Sequence, residues 1–190
     1  MCNPFTVTLI LCFAVAVPVT QGDFQRSGQR AVGATGDAKP KPTLEEAYRQ
    51  WHRGFTSKKK EDREKTLRSM LASQKDVECL FPKHAEKLWP LWAKGNEFLL
   101  ENVDKIADEV TKGGQIKAVE AIDVRKDKDR STGQYKRLLE IIPKDVPVFD
   151  YVVRRANGGG SGGGSFVYLN HRWIWIKDLD TFPKILEKLK

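Results

Sequence analysis

Cysteine is scarce in this 190-residue chain. Of the three present, Cys2 and Cys12 sit in the first apolar stretch. Removing that stretch leaves Cys79 alone, so no intramolecular disulfide is possible and the domain must hold together by its core. Histidine is scarce too, and His52, His84 and His171 are scattered along the chain. Zinc needs further ligands than Cys79 and His84 supply, so neither a metal nor another cofactor is expected. The glycine run from Gly158 to Gly164 lacks the Lys-Ser/Thr that follows a phosphate-cradling loop and does not open a helix. Long apolar runs are also missing: the longest, residues 5–17, is too short to span a bilayer comfortably.

That apolar stretch, followed by Thr20-Gln21-Gly22 before the first charge at Asp23, reads as a signal peptide over residues 1–22. An uncleaved anchor is the alternative, since no basic residue precedes the run. Leu11 before Cys12 is too bulky for a lipoprotein signal. Cleavage predicts a secreted, periplasmic or cell-envelope protein without stable membrane insertion. Residues 23–42 contain almost nothing to bury and predict a flexible tether. Residues 43–190 are the usual size for one domain. The formal net charge is +8, which suits acidic partners. Acids are interleaved with the basic residues throughout, however, and no reading element is visible, so a solvated surface is expected and nucleic-acid binding is not.

The domain opens with a capping box, Thr43-Leu44-Glu45-Glu46. Leu44, Ala47, Tyr48, Trp51 and Phe55 follow at helical spacing, and Gly54 is expected to loosen or end that helix. A second helix is predicted over 61–72. The stripe Leu88, Leu91, Trp92, Gly95, Leu99, Val103, Ile106 and Val110 predicts one long helix kinked at Pro90, or two abutting there. Gly113-Gly114 closes it.

Extended chain is predicted next, with strands over 116–124, 135–142 and 148–155 and a polar turn over 126–133. The glycine-serine run over 158–165 reads as a flexible connection between neighbouring strands. A hairpin follows, Phe166-Val167-Tyr168-Leu169 and Arg172-Trp173-Ile174-Trp175-Ile176 around Asn170-His171. A two-residue turn pairs Leu169 with Arg172, Tyr168 with Trp173, Val167 with Ile174 and Phe166 with Trp175. Phe166, Tyr168, Trp173 and Trp175 then share one face, and Val167, Leu169, Ile174 and Ile176 the other. Both faces are apolar. Helices should cover one, and a partner subunit, a ligand or more of the chain the other. Phe182-Pro183 begins a short closing helix.

Helices followed by antiparallel strands, with the opening Ala47-Tyr48-x-x-Trp51-x-x-x-Phe55 and a closing strand, tight turn and Arg172-Trp173 strand, resemble the nuclear transport factor 2-like superfamily, which includes the SnoaL-like cyclases. The resemblance implies an α+β fold: three N-terminal helices packed on a curved four-stranded antiparallel sheet, the cystatin-like cone, with a short C-terminal helix. It also implies a pocket inside the cone suited to a small apolar ligand, and a homodimer through the sheet's other face. Superfamily enzymes place an acid or a histidine in that pocket.

On this chain the acid would be Asp150, set in an apolar strand where a buried, ionised carboxylate needs a partner. Arg154 is too far along the strand to be an automatic one, and Asp150 is expected to face water at an edge or near a strand end, since perturbed carboxylates are the exception. The pocket would be lined by Tyr48, Trp51, His52, Phe55, Trp92, Tyr151, Tyr168, Trp173 and Trp175. Two readings follow. One is an exported, non-catalytic binding module in which the aromatic ladder is core or a stacking platform. The other is a small-molecule isomerase, cyclase or hydrolase of the SnoaL-like type using Asp150 as general base.

Overall fold

The computed structural model describes residues 41–133, 135–156, 158, 160–162 and 164–176. The leader, most of the tether and the closing helix expected from Phe182 lie outside the described residues. The described chain is α+β. Five helices come first: α1 (Leu44–Phe55), α2 (Lys60–Met70), α3 (Gln74–Leu80), α4 (Ala85–Glu101) and α5 (Val103–Thr111). Strand β1 (Ile116–Asp123) follows, then α6 (Lys128–Thr132) and α7 (Lys136–Ile141), then β2 (Val148–Arg155), β3 (Gly160–Gly162), β4 (Ser165–Leu169) and β5 (Arg172–Ile176). The strands run antiparallel in the order β1-β2-β4-β5, with β3 also paired to β2. No described helix is long and apolar enough to cross a membrane.

The expected capping box forms at α1. Thr43 Oγ1 accepts the Glu46 N–H at 3.1 Å and Glu46 Oε2 accepts the Thr43 N–H at 2.7 Å. Gly54 does not loosen this helix; it stands in the last turn because α2 crosses there. A Cβ at Gly54 would lie 2.0 Å from Thr66 Oγ1. Helix α4 continues through Pro90, and the break comes at Asn102 instead, whose side chain donates to the Phe98 carbonyl at 2.9 Å. Helix α3, which the hydrophobic pattern did not announce, starts from a second capping box: Ser73 caps the Asp76 N–H, and Asp76 accepts the Ser73 N–H at 2.8 Å.

The strand expected over 135–142 is helix α7. The physical reason is spacing: Tyr135, Leu138 and Ile142 are buried together, and intervals of three and four residues put them on one helical face, whereas a strand would split them between faces. Part of the polar turn is helical as well, since the Asp127 side chain accepts the Arg130 N–H and caps α6. The glycine-serine run is not only a connection, because residues 160–162 pair with Val152–Arg154 of β2 as strand β3. Between the Phe149↔Phe166 and Val152↔Gly162 pairs, the second chain carries one residue more than the first. Such a surplus is a β-bulge, and Gly164, with φ of 133°, lies in it.

Two cores lie on the two faces of the sheet. One gathers α1, the end of α2 and α5 over Val119, Tyr151, Val153, Phe166 and Trp173. The other gathers α3, the first half of α4 and α7 over Val148, Val167, Ile174 and Ile176. The second face, for which a partner subunit or a ligand was one expected cover, is therefore covered by the chain itself.

Candidate functional site

The hairpin has the expected register, with Leu169↔Arg172, Tyr168↔Trp173, Val167↔Ile174 and Phe166↔Trp175. Its turn places Asn170 at φ 51° and His171 at φ 61°, the pair of positive angles that a two-residue hairpin turn with native twist requires. A buried network anchors the tip. Asp76, 1 % exposed, accepts from Asn170 Nδ2 at 2.8 Å and pairs with Arg172, while Arg172 also donates to the carbonyls of Ser69 and Leu71. Burial works against the Asp76 carboxylate. The hydrogen bonds from Ser73 and Asn170 and the Arg172 charge outweigh it and hold the group below its usual range.

The aromatic face of the hairpin divides into a packed part and a rim. In the packed part Trp51 stacks on Phe166 with centroids 5.2 Å apart, Tyr151 meets Phe166 edge-on at 5.3 Å, and Tyr48 tilts against Tyr151 at 5.3 Å. These rings are core; Phe55 belongs to the same core and also borders a cleft. Burial, then the neighbouring charges, pushes the Tyr151 hydroxyl far above the phenol range, and burial raises Tyr48 as well. Both stay neutral and hydrogen-bonded to each other. Trp92 lies in the core on the other side of the sheet, 5.8 Å from Phe81. The nine residues expected around one pocket are therefore distributed over two cores and a rim.

His52, half-buried on α1, has a buried Nε2 without a side-chain hydrogen-bond partner. Burial lowers its pKa, the charge of Arg155 lowers it further, and a bond with the Gly114 backbone only partly offsets this. A cleft of about 380 Å³ lies beyond Phe55, lined by Ser57, Arg63, Asp104 and Thr111 among others. The Arg63–Asp104 ion pair, at 2.7 Å, occupies its wall.

Asp150, expected to face water, is instead buried at 6 % exposure. The strand alternation points it away from Phe149 and Tyr151, onto the face opposite Tyr48 and Trp51. Its partner, which the sequence did not suggest, is Arg130 from α6: Nε donates to Asp150 Oδ2 at 3.0 Å while the same guanidinium holds Asp127 at 2.8 Å. The other oxygen accepts the Tyr151 N–H at 2.7 Å. Both carboxylate oxygens are thus engaged. Cys79 is exposed on α3.

The rim of the aromatic face is formed by Phe149 and Tyr168, both half-buried, with the buried Trp173 between them. Phe149 meets Trp173 at 5.3 Å and 77°, and Tyr168 meets Trp173 at 5.3 Å and 67°. Rings at such steep angles make walls rather than a stack. Lys41 lies among them, its Nζ 4.2 Å from the Tyr168 centroid, 4.8 Å from Trp173 and 5.6 Å from Phe149. Beside it, Trp173 Nε1 donates to the Pro42 carbonyl at 2.8 Å. The sequence contained the three rings but no signal that would gather them, because Phe149 reaches Trp173 across the intervening strand. Comparison with family models, with curated proteins and with solved structures finds no match to this chain.

Proposed function

We propose that this chain is an exported, non-catalytic binding module on a scaffold of the cystatin-like, nuclear transport factor 2-like kind, and that the aromatic rim of its sheet recognises the ligand. The observation that carries this reading is the convergence of Phe149, Tyr168 and Trp173, from three strands, around a charged amine at the surface. Rigid strands hold the rings in place, which keeps the entropic cost of binding low. The order of helices, antiparallel strands and closing aromatic hairpin supports the scaffold. A general base, by contrast, needs a free lone pair aimed at substrate, and the carboxylate of Asp150 is occupied by Arg130 and the Tyr151 N–H. A homodimer on this scaffold has to use a surface other than the second sheet face, which α3, α4 and α7 cover.

A small-molecule fragment screen followed by side-chain nuclear magnetic resonance tests the reading. Ligands should perturb the Trp173 indole and the Tyr168 and Phe149 rings, and should do so equally in Asp150→Asn. Ligands that cluster instead at Asp150 and Arg130, or turnover of a compound that Asp150→Asn abolishes, would overturn it.

A further inference from the structure

We propose that the Phe149–Tyr168–Trp173 cage is a site for an alkylated ammonium group, and that Lys41 is an internal occupant which such a ligand displaces. This inference rests on the aromatic-rim reading above and adds the ligand class and a form of self-competition.

The face of an aromatic ring carries negative charge density, so a cation within about 6 Å of a centroid is attracted to it. All three Lys41 distances meet that criterion. The cage is selective because its walls belong to the sheet. Tyr168 and Trp173 are ladder partners on β4 and β5, Trp173 is buried at 5 % exposure, and Phe149 stands in β2. Asp123 is the ladder partner of Phe149, which places a carboxylate on the same face. It is shared with Lys126 at 3.2 Å and the Arg125 N–H at 3.1 Å, and it adds negative potential beside the rings.

Lys41 is a poor match for such a site in one respect. A primary ammonium is compact and strongly hydrated, and burial against the rings lowers its pKa, the sign of a hydration shell partly lost. Methyl groups on nitrogen spread the charge and weaken its hydration, so a quaternary ammonium enters an aromatic cage at less cost than a lysine. Lys41 and Pro42 are themselves exposed. Among the described residues their ties to the rim are the three ring contacts and the Trp173–Pro42 hydrogen bond, so displacement of the occupant touches the first core only at Trp173. The indole N–H of Trp173 reports that displacement directly, since it loses the Pro42 carbonyl when the segment leaves.

Choline and its carbon isostere 3,3-dimethyl-1-butanol have the same shape and differ in charge. Both are titrated into the full chain, into Lys41→Gln and into Tyr168→Leu, with affinity read by calorimetry and occupancy by the Trp173 indole resonance. Choline should shift that resonance, bind Lys41→Gln about five- to tenfold more tightly than the unaltered chain, and bind the isostere's site at least about tenfold better than the isostere does. Tyr168→Leu, altered at a half-buried rim position, should keep the melting curve and lose choline. Equal binding of choline and its isostere would overturn the ammonium assignment while leaving the aromatic rim as a recognition surface. Equal choline affinity with and without Lys41 would overturn self-competition. Silence of the indole towards choline in Lys41→Gln would overturn the inference as a whole. The reading in the previous subsection fails on different results: fragments of every class leaving the rim untouched, or the outcomes at Asp150 named there.

Discussion

Replacing Asp76 with alanine should cost more stability than any other single polar substitution in the described fold. The carboxylate is 1 % exposed and accepts from the Ser73 N–H, the Ser73 hydroxyl, Asn170 and Arg172. Removing one partner of a buried pair costs about 3–5 kcal/mol because the other charge is left uncompensated. Arg172 retains 32 % side-chain exposure and two carbonyl acceptors, so water and backbone relieve part of that cost and place the ion-pair share near the lower limit. The half of the capping box that is lost contributes roughly 0.5–1 kcal/mol more. Together these predict about 3–4 kcal/mol, from a total of about 5–15 kcal/mol. At this chain length the melting temperature should fall by roughly 10 °C. Urea denaturation of Asp76→Ala, Arg172→Met and the double variant measures it. The two costs should overlap by about 1–3 kcal/mol, as for groups in one network. The folded-state pKa of Asp76 is depressed from its ordinary 3.8, so its stabilisation is present above about pH 4 and lost as pH falls through the lower folded value. The difference between the unaltered chain and the variant should shrink in that acid window. A cost under about 1 kcal/mol, or additive single costs, would refute the reasoning.

Three further outcomes are expected. His171→Gly should stabilise the chain by about 0.5 kcal/mol in urea melts, because the φ of 61° penalises an L-residue by more than glycine loses in entropy. Gly164→Ala should cost about 2 kcal/mol, since φ is 133° and the new Cβ would lie 3.1 Å from Trp175 Nε1, whereas Gly158→Ala, at φ 81° with open space around it, should cost about half as much. Because burial depresses the His52 pKa, the unfolded chain binds the proton more readily, so stability should decline as pH falls from 7 towards 5. His52→Gln should flatten that part of the stability profile.

The closing hairpin was legible to the residue because period two, a two-residue turn and an asparagine with tolerance for positive φ all constrain one register. Both of its faces were also correctly read as apolar, but what covers the second could not be. Part of the cover comes from α3 and α7, and those were the elements misjudged. Tyr135, Leu138 and Ile142 carry a helical interval, and Lys136-Arg137-Leu138-Leu139-Glu140 between them are good helix formers, so this helix was legible in both spacing and composition. Ser73-Gln74-Lys75-Asp76 is a capping signal as clear as that of α1, yet a seven-residue helix shows too little periodicity for the signal to stand out. Asp150 illustrates a different limit. The carboxylate was expected to face water, and it is buried because its partner, 20 positions away in a short helix, arrives by a tertiary approach that no local rule encodes. The aromatic rim was recognised as four rings on one face, but Phe149 and Lys41, which turn a wall into a cage, come from elsewhere in the chain.

The arginines show how part of a net charge of +8 is taken up inside the fold. Arg155 is buried and donates to the Val110 and Gly114 carbonyls beyond the end of α5. Arg125 ties the Ile142, Pro143 and Val146 carbonyls where α7 leads into β2. Arg49 reaches the Ile116 and Lys117 carbonyls at the start of β1, and Arg63 the Ser57 carbonyl between α1 and α2. Arg155, Arg125 and Arg63 satisfy backbone acceptors at helix ends and turns, and Arg49 does so at the irregular start of β1. A planar group with five donors suits several carbonyls at once, which the ammonium of lysine does not. Lacking disulfides in the described chain, the fold uses arginine to fasten its connections, and the positive charge of those side chains is spent inside the structure. Arg154, exposed and 3.4 Å from Glu120, and Lys126, bound to Asp123, are paired at the surface. Recognition through bulk positive charge is therefore a weaker expectation than the total suggests, and the rim where a lysine is held by three rings is the place at which charge and shape act together.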